Sequence, residues 1–125
     1  MESWDLKTVE VEPHQPRILA SAEDARTILL HLPAGEELQE HEVHERARVI
    51  VVEGDVEVSA DGGSESASPG HLFEFAPGER RTVLARSDAR LLMVLSPWPG
   101  DGHPGAMTLE EKSEAREKAA EHAAQ

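Results

Sequence analysis

The sequence predicts an all-β fold of the sandwich or barrel type, and three observations carry the prediction. Strand-length runs recur along the chain, as TILLHL at Thr27 to Leu32, VIVV at Val49 to Val52, DVEVSA at Asp55 to Ala60 and an apolar run at Leu91 to Leu95. Turn residues punctuate them, at Pro33-Ala34-Gly35, Glu53-Gly54-Asp55 and Asp61-Gly62-Gly63. About nine short extended segments with regular turns imply a closed or two-layered sheet.

Taken in order, Thr8 to Val11 reads as a strand, and Pro13 and Pro16 place it at an edge or in an arm that Trp4 tucks down. Ile18 to Ala20 is extended, Ser21 to Asp24 is a polar turn, and Thr27 to Leu32 is a strong strand. His31 shares a face with Leu29 and reads as a packing residue. Leu38 to Val43 alternates, which sets Leu38, Glu40 and Glu42 on one face and Gln39, His41 and Val43 on the other. Strand side chains repeat every two residues, so His41 and His44 converge only if a bulge or turn separates them.

Val49 to Val52 is β-branched throughout, with apolar neighbours on both faces, and so reads as a central strand. Asp55 to Ala60 is its expected hairpin partner, with Val56 and Val58 inward. Ser64 to Pro69 reads as loop, Leu72 to Phe75 as strand, Ala76 to Arg80 as turn and Thr82 to Ala85 as strand. With 2 Phe, 2 Trp and no Tyr, Leu, Val and Ile must fill the interior, which leaves room for a small ligand in the barrel mouth. The Pro- and Gly-rich SPWPGDGHPG from Ser96 ends the sheet, with Trp98 as its anchor. Thr108 and Glu111 form a capping box that starts a C-terminal helix or tail, of which Leu109 is the one large aliphatic residue.

At 125 residues the chain is one domain able to bury a single core. The formal charge of −13 repels nucleic acid and anionic membranes. No cysteine is present, so disulfides and thiolate metal sites are excluded, and no window is apolar enough to span a bilayer. The start, MESWDLKTVEVE, lacks the basic and apolar regions of a leader, so the expectation is a soluble, cytoplasmic protein. There is no phosphate loop, GxSxG or HExxH.

The stretch GEELQEHEVHERARVIVVEG, from Gly35 to Gly54, resembles the first motif of the cupin superfamily, G-x5-H-x-H followed by E-x6-G. Gly35, His41 and Gly54 keep that spacing; Val43 stands at the second histidine, with His44 one place late, and Ala47 at the glutamate. GHLFEFAPGERRTVLAR, from Gly70 to Arg86, resembles the second motif: Gly70 and Gly78 align and Pro77 falls one residue late. Arg81 stands at the remaining metal histidine and Ala85 at the asparagine. The likeness covers about residues 26 to 96 and extends to uncharacterised single-domain actinobacterial cupins. It implies a cupin-type β-barrel, the double-stranded β-helix or jelly roll. The domain plan is then an N-terminal arm with an edge strand at 1–25, the barrel at 26–96, and a Pro/Gly segment with a helical tail at 97–125.

Three function classes follow. In the first, His41 and His44 hold a divalent metal, Zn, Fe, Mn or Ni, with Glu45, Glu42 or His71 replacing the absent ligands; the resemblance then implies an enzyme of dioxygenase or isomerase type. In the second, Arg81 replaces the cation and offers its planar fork of donors to a small anionic ligand, with His41 as a hydrogen-bonding or titratable neighbour. A fixed positive charge disfavours a nearby divalent cation and favours an anion. The sequence therefore favours small-molecule binding of unassigned activity at a degenerate metal site. The bland alternative for Arg81 is pairing with surface carboxylates beside Arg80 and Glu79. In the third class the chain is a non-catalytic scaffold or regulatory module. TILLHL, apolar on both faces, needs covering by a second copy or by the arm, and the resemblance implies a homodimer.

Overall fold

The computed structural model describes residues 1–38 and 43–99. Among them are nine strands: β1 (Arg17–Ser21), β2 (Arg26–Leu32), β3 (Glu37–Leu38), β4 (Arg46–Glu53), β5 (Val56–Ala60), β6 (Gly63–Ala67), β7 (Leu72–Phe75), β8 (Arg81–Ala85) and β9 (Ala89–Ser96). They build two antiparallel sheets, ordered β1-β2-β9-β4-β7 and β3-β8-β5-β6. The all-β expectation holds over the described residues, while the helix expected from Thr108 lies outside them.

Apart from β1–β2 and β5–β6, every pair of consecutive strands changes sheet, so two stacked sheets enclose one core. Alternation decides which side chains enter it. On β9, Ala89, Leu91, Met93 and Leu95 are buried, while Arg90, Leu92, Val94 and Ser96 face out and are half-buried. Ala47, Val49 and Val51 of β4, Val56 and Val58 of β5, and Val83 and Ala85 of β8 meet them in one cluster. As the scarcity of aromatics requires, mostly aliphatic side chains fill the interior. Trp98 packs against the cluster from beyond β9, and the Arg26 guanidinium lies 4.0 Å over its ring, so the expected anchor is in place.

The structure corrects four expectations. Residues 8 to 11 form no strand, because Thr8 and Val9 donate their N–H groups to the Asp5 carbonyl and Lys7 donates to the Asp5 carboxylate, which winds the segment into a turn. Trp4 is exposed; the arm is held instead by Arg90, whose guanidinium donates to the carbonyls of Leu6 and Val9. The segment 55–60 is not the hairpin partner of β4, since β5 pairs with β6 and β8 in the other sheet. At the crossing, Gly54 has φ +81°, and a Cβ there would stand 2.2 Å from the Asp88 carbonyl oxygen; this close approach seats the turn against the β8–β9 connection. The fourth concerns 64–69, read as loop: Gly63–Ala67 is a strand. Its GSESA sequence lacks an apolar face because β6 is an edge strand that buries Ala67 alone and is held by its backbone ladder to β5.

Candidate functional site

The approach to β4 and the β7–β8 turn lie against each other. In that turn the Glu79 N–H donates to the Ala76 carbonyl, and the Ala76 N–H donates to the Glu79 carboxylate. Gly78 has φ 80° and its N–H donates to the Val43 carbonyl at 2.8 Å. This bond ties the second motif stretch to the first. It also fixes where β8 begins, and thereby where Arg81 points.

Arg81 opposes Ala60 in the ladder and shares the inward face of β8 with Val83 and Ala85. It is 4% exposed, with Phe75 and Met93 around its guanidinium. Cζ lies 4.9 Å from the Phe75 ring centroid, a cation–π arrangement. Nη2 lies 4.0 Å from the Met93 thioether, a weak acceptor. Nε is buried and has no hydrogen-bond partner, and none of the ion pairs among the described residues includes Arg81. Burial pulls its pKa below the ordinary guanidinium value, and the Glu79 charge pushes it part of the way back. Arg81 is therefore an interior cation with an open donor, not a surface residue paired with nearby carboxylates.

Glu45 is the second buried charged residue, 2% exposed. It lies in the bend that leads into β4, at an odd-numbered position between buried Val43 and Ala47. The sequence offered Glu45 as one of several substitute ligands, and its parity with Val43 and Ala47 was the signal that sets it apart. The sequence places Phe75 and Met93 in strands, and nothing in their spacing marks them as neighbours of Arg81. His44 is half-buried in the same bend. His71 stacks on Phe73 with ring centroids 4.6 Å apart, and its Nε2 stands 3.8 Å from the Glu65 carboxylate, on the β6–β7 side. His41 and Glu42 lie outside the described residues.

Among the described residues no three His, Cys, Asp or Glu side chains gather as metal ligands. At three of the four places where the motifs would put a ligand stand Val43, Ala47 and Arg81, two aliphatic side chains and a buried cation. Those three residues offer a divalent ion no ligand, and the guanidinium presents a planar set of donors.

No protein-family model matches the chain, and no curated protein does. Solved structures do. The chain is similar to a RmlC-like cupin protein from Desulfovibrio desulfuricans, with a TM-score of 0.69 and 22% identity over 78% of this chain and 97% of that one. KdgF from Halomonas sp. matches with a TM-score of 0.63 and 25% identity over 70% and 84% of the two chains. A RmlC-like cupin family protein with a double-stranded β-helix fold from Methanocaldococcus jannaschii matches at 0.65 and 14%, over 78% and 91%. The chain has the cupin fold.

Proposed function

We propose that this cupin-fold chain is a small-molecule-binding barrel, and that the ligand is a small anion, a carboxylate in the first instance, held in the interior by Arg81. One observation carries the reading: a guanidinium enclosed by Phe75 and Met93 whose Nε has no partner. Leaving a charged donor buried and unsatisfied is unfavourable, and a carboxylate would remove that cost through charge-assisted hydrogen bonds. His41, six residues after Gly35, is the second contact in this reading and supplies a hydrogen bond or a titratable group. The reading includes a homodimer and a cytoplasmic location. No helix among the described residues is long and apolar enough to cross a membrane.

The test is calorimetric titration of the untagged full chain with acetate, propionate and succinate, repeated on Arg81→Met. Saturable binding by the wild type that the variant loses supports the reading. Equal binding by both, or none by either, overturns it. Elemental analysis of the same wild-type protein, with His41→Ala and His44→Ala beside it, tests the metal-dependent enzyme, and a metal-free wild type argues against it. Near-stoichiometric metal lost in both variants would reinstate that enzyme, with buried Glu45 as its carboxylate.

A further inference from the structure

The ladder between β1 and β2 ends at Arg17 opposite Leu29. Beyond it the chain leaves the edge of β2, and a turn, Glu12-Pro13-His14-Gln15, passes over Leu30 and Leu32. The Gln15 N–H donates to the Glu12 carbonyl at 3.2 Å, with proline second and a positive φ of 65° third, the pattern of a type II turn. The third position usually requires glycine, and here the His14 side chain makes an external contact, its Nε2 standing 3.1 Å from the Glu36 carboxylate. This contact joins the turn to the segment just before β3. Beneath the turn is a cavity of about 220 Å³ lined by residues of β2 and β9 in one sheet and of β3 in the other.

Its floor is apolar, made by Leu30, Leu32, Leu38 and Leu91, and carboxylate residues Glu12, Glu36 and Glu37 contribute to its walls. His14, already engaged with Glu36, and His31 also line it, while no lysine or arginine does, Arg81 included. The volume is below the ~300–1,000 Å³ of pockets for drug-sized ligands. At the ~30 Å³ that a water takes in the liquid, it holds about seven or eight non-hydrogen atoms. We propose that this cavity is a second ligand site, selective for a small organic amine whose apolar body lies on the leucines and whose ammonium meets the Glu12, Glu36 and Glu37 carboxylates. Charge complementarity selects this occupant. A carboxylate of the same shape would meet three like charges in a chain of net charge −13, whereas an ammonium gains charge-assisted hydrogen bonds. The barrel would then carry two sites of opposite preference, anion at Arg81 and cation beneath the arm. The proposal stands or falls independently of the Arg81 reading.

The probes are cyclohexylmethylamine, protonated at neutral pH, and its isostere cyclohexanecarboxylate, each titrated into the ¹⁵N-labelled full chain. The expected result is saturable shifts of the Gln15, Leu32 and Leu38 amides with the amine, about tenfold weaker in Glu12→Gln/Glu36→Gln and unchanged in Arg81→Met. The isostere comparison needs no variant, so it remains decisive even if the double substitution disturbs the turn. The proposal is overturned if the carboxylate shifts these amides as strongly as the amine, if the amine shifts never saturate, or if the double variant binds the amine undiminished.

Discussion

A buried guanidinium with an open Nε has a cost in the ligand-free protein that a purely structural residue would not carry. Its compensation among the described residues is the Phe75 ring, the Met93 thioether and the charge of Glu79, the ring contact being worth about 0.5–2 kcal/mol. The unsatisfied donor opposes this with about 1–3 kcal/mol, and more for a charged group. Arg81→Leu is therefore expected to raise the urea midpoint of the ligand-free chain, by about 1–2 kcal/mol in unfolding free energy. Thermal denaturation should follow by a few degrees. A residue kept at the expense of stability is best explained by what it binds. If the substitution lowers the midpoint instead, Arg81 serves the fold, and the anion site loses its main support.

At the scale of elements, Gly54 makes the sharpest prediction. Its φ of +81° lies where an L side chain is strained, and a Cβ would fall 2.2 Å from the Asp88 carbonyl oxygen and 2.8 Å from the Ala89 Cα. Both neighbours are backbone, so neither can swing aside. Gly54→Ala should cost about 3 kcal/mol or more, combining left-handed strain with forced displacement of the β8–β9 connection, and chemical denaturation would measure it. A loss under about 0.5 kcal/mol would mean that the crossing is not the tight seat described. The same crossing shows what the sequence could carry and what it could not. β2, β7, β8 and β9 were legible because alternation and flanking turns coincide there. That Glu53-Gly54-Asp55 changes sheet instead of closing a hairpin was not, because pairing is decided by a carbonyl 34 residues away at Asp88. β6 was invisible for the opposite reason: an edge strand with four exposed positions in five has almost nothing to alternate. At the site, Arg81 was legible from a motif position, but its burial beside Phe75 and Met93 depends on strands that are adjacent only in the folded barrel.

For the whole molecule, the question is how two chains of charge −13 could associate. The outward face of the five-stranded sheet is where repulsion is locally relieved. Arg46 and Arg48 of β4 flank Glu74 of β7 at 3.9 and 3.2 Å, so this patch is not acidic. Beside it, Leu72 opposes Ile50, and Ile50 opposes Leu92, in one row across β7, β4 and β9. Leu72 is 55% exposed. Farther along that row Leu29 is fully buried, and the arm crosses the same face, with Val11 buried and Arg90 holding Leu6 and Val9. The arm therefore supplies the cover expected over TILLHL on the β2 side and leaves the β4–β7 side for a second copy. A two-fold contact there would set each row against its counterpart. Long-range repulsion between the copies is largely screened at physiological salt, where the Debye length is about 8 Å. Sedimentation equilibrium should accordingly find a dimer at physiological salt that weakens as salt is lowered, and Leu72→Glu should make it monomeric without lowering its thermal stability. A wild type that remains monomeric at high micromolar concentration, or a Leu72→Glu chain that dimerises as before, would remove this face from consideration and leave the arm as the cover of the sheet.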